Sequence, residues 1–460
     1  MIIINKNKPS IFPLALMLLG MLYNCSPKAV STEERFTHTE TANSTTIVVE
    51  KEAFFEEEAT LYKNLIYNPK IKTVLLYKKG SVLSDPVIRL NSEETLELRF
   101  DELDSDIAAY QYKIIHCNED WTQSNLTDMD YINGFEENYI DNNKYSFNSY
   151  QSYVHYWVEF PNENIQLTKS GNYIIYVYPE GEEKYPVLTQ KFYVTENSMQ
   201  ILPKIKYPAK LDDKYYRQEV DFILSYNKIQ VINPYSNIKV HIEQNHRTDN
   251  SCTKLSPNFV KENQLVYNYE EDNVFDGGNE FRFMDISTLK NYTQRVLSID
   301  DRNGSYKVKL KPDVKRTYKK YLETGDANGR LFIKNIDGFD NNLESDYAYT
   351  TFTIPYSNPL NMGDLYIYGQ LSNWEIDNTY RLKYDYDSRA YKAEIYLKQG
   401  VYNYTYLYVS DTAKIADVSL IEGTHFDTEN EYLFKIYYKD PGEFYDRLLL
   451  YYTANSRDNF

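Results

Sequence analysis

The chain has 460 residues with a formal net charge of −17 and a mean hydropathy of −0.62. This length allows two to four domains with substantial cores. The acidic excess excludes an electrostatic nucleic-acid binder, or a protein held to anionic headgroups by its overall charge. Tyrosine is extreme, at 48 residues against 3 Trp and 3 Cys. Its ring packs while its hydroxyl reaches water, which suits a half-buried pleated surface and points to an all-β chain.

Lys6 and Lys8 precede a short apolar run, Ile11 to Leu22, too short to span a bilayer, which reads as an export signal. The run stops at Leu22-Tyr23-Asn24-Cys25. A Leu three residues before a Cys resembles the lipobox of bacterial lipoproteins, although Tyr23 and Asn24 are bulkier than the small residues usual there. The resemblance implies acylation of Cys25 and a membrane tether; ordinary cleavage near Asn24 is the alternative. Residues 26–60 are polar, acidic and aperiodic and read as a tether.

Residues 61–198 form a first expected domain. Strands are predicted at 71–77, 86–90, 95–100, 110–115, 153–160, 172–178 and 188–194 from apolar alternation and flanking turn residues. That number suits an immunoglobulin-like sandwich. A long loop, Thr122 to Ser152, joins two of these strands, and such loops are more often functional than idle. Its aromatics include Tyr131, Tyr139 and Tyr145, which are expected to contact a partner, whereas Phe135 and Phe147, beside Gly134 and Asn148, are expected to fold back.

A second β-rich domain is expected over 199–357 and a third over 358–460. Only Arg316 to Glu323 hints at a short helix. Residues 369–374, Gly-Gln-Leu-Ser-Asn-Trp, followed by the tyrosine-rich strands of 391–406, resemble the early-set domains related to glycogen-binding modules. In those modules such a Trp stacks on sugars, so Trp374 is the candidate for that role, although the second sugar-binding Trp is missing. The fold class is therefore all-β, with tandem immunoglobulin-like or early-set β-sandwich domains.

No catalytic constellation emerges. His241 and His246 are five apart, which suits neither one helical face nor a zinc motif. His116 and Cys117 are strand neighbours that point to opposite faces and are poorly placed to share a proton. Asp326-Ala-Asn-Gly329 and Asp300-Asp-Arg-Asn-Gly304 miss the spacing of calcium loops and read as turns. Neither a metal nor a cofactor is expected. Cys117 and Cys252 are expected as free, buried thiols.

Finally, His116-Cys-Asn-Glu-Asp-Trp121, Gly134-Phe135, Ser146-Phe-Asn148 and Pro161-Asn-Glu163 resemble signposts of a Bacteroidetes family, the type IX secretion system plug proteins. Gly277-Gly-Asn-Glu-Phe281, Asp326-Ala-Asn-Gly329 and Asp346-Tyr-Ala-Tyr349 continue the resemblance. It implies a non-enzymatic periplasmic protein that caps an outer-membrane translocon barrel; the lipobox-like Cys25 is not part of that resemblance and would add a lipid anchor at the periplasmic face. A carbohydrate-binding surface lipoprotein, resting on Trp374 and Cys25, is the alternative.

Overall fold

The alternating stretches form strands, gathered into three packed sandwiches in a computed structural model that describes residues 62–459 other than 303 and 414. The expected export signal, Cys25 and the tether lie outside the described residues. Among the described residues the helical elements are single turns of three or four residues, and none is long and apolar enough to cross a membrane.

In the first sandwich, one sheet runs Leu65–Ile66, Leu188–Thr195, Gly171–Pro179, Tyr110–Cys117, Glu137–Tyr139, with Val87–Arg89 parallel to Leu188–Thr195. The facing sheet runs Ile71–Lys78, Leu96–Leu103, Tyr153–Phe160, Asn142–Tyr145. Inward positions of both sheets, among them Leu98, Phe100, Tyr112, Tyr156, Tyr173 and Phe192, share one core. Burying each such side chain contributes about 1.5–3 kcal/mol. Residues 122–152, expected as a loop, instead donate an edge strand to each sheet: Glu137–Tyr139 pairs with Tyr110–Cys117, and Asn142–Tyr145 pairs with Tyr153–Phe160. Those two long strands would otherwise present unpaired backbone at the sandwich edge.

The second sandwich corrects the expected boundary at 357/358. One sheet holds Gln200–Lys206, Arg217–Ser225, Gln264–Tyr267 and Phe259–Lys261, with Val274–Asp276 beside Arg217–Ser225. The other holds Arg247–Cys252, Ile238–Gln244, Glu431–Tyr438 and Arg447–Asn455. The last two strands of the chain thus return to the second sandwich, in register from Ile238↔Tyr438 to Gln244↔Tyr432. Val240 and Ile242 need apolar neighbours, and Phe434, Ile436 and Leu450 supply them in a core shared with Val220, Phe222 and Leu265.

The third sandwich is inserted between these halves. A nine-stranded sheet runs from Arg282–Asp285 through Gly400–Ser410, Gly363–Tyr368, Arg381–Asp385, Ala390–Lys398, Tyr347–Pro355 and Tyr306–Leu310 to Val296–Asp300, with Leu331–Ile333 against Gly400–Ser410. It folds over so that its halves share a core, where Phe352 and Tyr404 meet edge to face at 5.1 Å. Tyr404 and Tyr406 each donate to Asp313 at 2.8 Å, and Arg282 donates to Asp313 at 2.9 Å while gripping Glu422 with two bonds of 2.9 Å. Such interior partners for the hydroxyls let tyrosine serve as a core residue here.

Residues 316–323 are irregular, correcting the expected helix. Arg316 bonds Glu422 at 2.7 Å and the Thr317 hydroxyl bonds the Leu420 carbonyl at 2.7 Å, so the segment is drawn onto the 419–422 turn and builds no helical ladder of its own.

Candidate interaction surface

The conspicuous motifs of the sequence lie at the seams between sandwiches. Around 116–121, His116 packs against Tyr173 at 4.8 Å and against Tyr445 of the second sandwich at 5.4 Å. Its Nε2 faces the Ser170 carbonyl at 3.2 Å, and burial lowers its pKa to about 4. Cys117 is buried and free, with its thiol pushed up to about 12 by burial. A neutral imidazole beside an un-ionised thiol is no nucleophilic pair. Cys252 is also free, but half-buried.

Glu119 crosses to the second sandwich, accepting from Lys239 at 2.6 Å and lying 2.7 Å from His241 Nε2. Burial pushes its carboxyl up, yet the bonds from His241 and Lys239 hold it at about 2. Trp121, at φ 69°, sets its ring edge to face on Tyr193 at 5.5 Å, with the Lys191 ammonium 4.4 Å from its centre.

The seam between the first and third sandwiches is an ionic knot. Asp101 accepts from Lys398 and from the Tyr347 hydroxyl at 2.6 Å each, and lies 2.6 Å from His155 Nδ1. Asp101 and Lys398 are both almost wholly buried. Burial opposes the charge on Asp101, but Lys398 and His155 hold its carboxyl below the usual range. Alongside, Asp346 accepts from the Tyr150 and Gln151 backbone at 2.6 and 3.1 Å, and Asn148 bonds Glu344 at 3.0 Å. Nothing in the sequence singled out Asp101 or Lys398. Asp101 follows the outward alternation of its strand, and only the docking of another sandwich makes that face interior.

Where all three sandwiches meet, a cavity of about 90 Å³ is lined by Asp85, Lys191, Glu243, His246, Arg330 and Trp374, among others. Arg330 bonds Asp85 at 2.9 Å and Glu431 at 2.7 Å. Trp374 is no open platform: it stacks on His246 at 4.3 Å, and a Cβ at Gly329 would stand 2.9 Å from its ring. This packing covers one face of the half-buried indole, which counts against the sugar-stacking expectation. It also explains Gly329, which turns the chain at φ 83° directly beneath the indole.

Of the aromatics expected at a partner contact, Tyr131 is 2 % exposed, which corrects that assignment. Its hydroxyl donates to the Ile114 carbonyl at 3.2 Å and its ring joins the first core. Tyr139 and Tyr145, on the two edge strands, are 51 % and 53 % exposed. The Tyr139 hydroxyl donates to Glu180 at 2.9 Å, and that of Tyr145 accepts from the Ile107 backbone at 3.4 Å. Phe135 and Phe147 do not fold back: both are exposed. The turn at Gly134 is fixed by backbone, since a Cβ there would stand 2.1 Å from the Asn164 carbonyl oxygen, and this leaves the Phe135 ring outside.

Phe147 and Tyr150 extend the exposed set toward the third sandwich. The Phe147 amide donates to the Leu343 carbonyl at 3.0 Å, and Tyr150 stacks on Tyr306 at 5.0 Å. Phe339, in the same 335–346 segment, is fully exposed, with its amide on Glu344 at 2.8 Å. Tyr139 and Tyr145 on the first sandwich, Phe147 and Tyr150 at its junction with the third, and Phe339 on the third are thus all exposed. Among the described residues, no group of three or more His, Cys, Asp or Glu could hold a metal ion.

Three β-sandwiches joined through polar and ionic seams define an all-β protein. Residues 71–196 match the family model of the type 9 secretion system plug protein 1st domain. The crystal structure of a hypothetical protein from Parabacteroides merdae is 34 % identical, with a TM-score of 0.83, over 86 % of this chain and 99 % of that one. A DNA-bound alkylpurine DNA glycosylase AlkC of Pseudomonas fluorescens aligns at 12 % identity and a TM-score of 0.16, over 27 % of this chain and 30 % of that one, and carries no argument. No curated protein matches the chain. The chain belongs to the family of the Parabacteroides protein, and its first sandwich is a type 9 secretion system plug protein 1st domain, which ties it to type IX secretion in the cell envelope.

Proposed function

We propose that the protein is a periplasmic plug that seals the outer-membrane translocon barrel of the type IX secretion system by protein–protein binding, without a catalytic step. The observation that carries this reading is the plug domain at 71–196, whose exposed aromatics Tyr139 and Tyr145 stand on its edge strands. Support also comes from the seams. A cap must resist deformation, and ionic contacts join this domain to both others, a buried one to the third sandwich and a part-exposed one to the second. Acylation of Cys25 would hold such a cap beside the membrane that carries the barrel.

Co-purification of the translocon barrel with a tagged copy of the chain tests the reading. Tyr139→Ser with Tyr145→Ser should weaken barrel capture by on the order of 30-fold, because interface tyrosines each contribute about 1 kcal/mol or more. The melting temperature should stay within a degree or two, since neither ring is in a core. No barrel in the eluate would sink the plug assignment. Equal capture by the double variant would move the contact off these two edge strands.

A further inference from the structure

Two irregular segments from different sandwiches meet on either side of the 423–426 turn. From the second sandwich, the Tyr215 carbonyl accepts from the Phe426 amide at 2.9 Å, and Tyr207 stacks on Phe426 at 3.9 Å. From the third, Tyr321 packs on His425 at 5.6 Å. Leu211 and Tyr215 project from the first segment, and Tyr318 and Leu322 from the second, each between 65 % and 94 % exposed. Four large side chains held this far out of any core need an occupant for their surroundings.

Lysines surround them: Lys210 and Lys214 on one segment, Lys315, Lys319 and Lys320 on the other. Among the described residues none of these five has a carboxylate at ion-pair distance, whereas the neighbouring arginines are committed. Arg217 holds Asp276 at 2.8 Å, Arg316 holds Glu422 at 2.6 Å, and Arg457 is shared by Glu323 at 2.5 Å, Glu280 at 3.0 Å and Glu429 at 3.6 Å. Asp213 also lies within 3.7 Å of Arg217, which leaves Asp212 and Asp427 as the unpaired carboxylates beside the lysines. Five lysines without an ion pair thus stand beside two such carboxylates, on a chain of net charge −17.

We propose that this face docks on the headgroup layer of an anionic phospholipid bilayer. Lysine is depleted in the cores of protein–protein interfaces, but each one near an anionic leaflet contributes about 1 kcal/mol. Tyrosine settles at headgroup depth, with its ring toward the acyl chains and its hydroxyl toward water. The apolar residues also sit on projecting segments instead of lining a groove, which suits a soft surface. The overall negative charge does not forbid this, since charges more than about 10 Å away are screened at ordinary salt.

The proposal is tested by co-sedimentation of the chain after its export segment, carrying Cys25→Ala, with two kinds of vesicle. One is phosphatidylcholine alone, the other an equimolar mixture with phosphatidylglycerol. Binding to the mixed vesicles is expected, weakening as salt is raised. K319E/K320E should reduce it by about 30-fold or more, from two lost attractions of about 1 kcal/mol each plus the repulsion introduced. Tyr318→Ser with Leu322→Ser should also reduce it, and both pairs should keep the parent melting temperature. Equal binding to both vesicle types, no binding to either, or indifference to these substitutions overturns the proposal. Salt-sensitive capture on immobilised polyglutamate without vesicle binding also overturns it, assigning the face to an acidic protein. Because the vesicles contain no protein, the result stands apart from the translocon experiment.

Discussion

Asp326 keeps its proton far longer than an ordinary carboxylic acid. Burial pushes its pKa up from 3.8 to about 7, with Glu280 and Glu429 adding to the rise against the backbone bonds from Asn328 and Phe281. In the unfolded chain the group ionises near its ordinary value, so between about 4 and 7 the folded state binds more protons. Stability from this group is therefore full below the unfolded value, falls as pH rises through that window, and levels off above about 7. The loss amounts to no more than about 4 kcal/mol at 1.36 kcal/mol per pKa unit. Urea titrations of the wild type and Asp326→Asn across the window check this. The wild-type advantage should shrink with rising pH, and a difference independent of pH would show that the carboxyl is not the titrating group.

Strands become connectors where one sandwich covers another's outward face. Asp101 and His155 stand opposite one another on Leu96–Leu103 and Tyr153–Phe160, and Lys398 ends Ala390–Lys398 on the third sandwich. Removing one partner of a buried pair leaves an uncompensated charge and costs about 3–5 kcal/mol. Lys398→Met should destabilise by that amount, and Asp101→Leu similarly. The double variant should cost less than the sum, with a coupling on the order of 2 kcal/mol in denaturant titrations. Additive effects would mean that the pair contributes nothing specific to this seam. At the same scale, most strands were legible as alternation, but 137–139 and 142–145 were not. Each is four residues or fewer, rich in Asn and Glu, and strand only because a longer neighbour needs an edge partner.

At the scale of the whole molecule, the second sandwich is closed by the end of the chain. Tyr432, Phe434, Ile436 and Leu450 belong to its core, while the core of the third sandwich draws on residues 284–421. Deleting residues 427–460 should expose the amides of 200–276 to rapid hydrogen exchange measured by mass spectrometry, with those of 347–410 staying protected. The reverse pattern, loss at 347–410 with 200–276 intact, would contradict the inserted arrangement.

Local pattern alone determined much of this protein. Alternation and turn residues specified the all-β class and the long strands of the first sandwich, because a strand with one buried face must repeat every two residues. The same pattern marked Tyr139 and Tyr145 for the surface, since they sit among Asn and Asp. Tertiary structure decided what alternation cannot encode. An outward face reads as polar whether water or a neighbouring sandwich covers it, so Asp101, Lys398 and Glu119 carried no mark of their seams. Tyr131 and Trp374 have rings that suit a core as well as a contact, and only the position of Tyr173 against one and His246 against the other decided that the first is buried and the second half-buried. The return of 431–455 to the second sandwich was equally invisible, because β pairing joins strands through space and leaves no trace of the partner in either one's own residues.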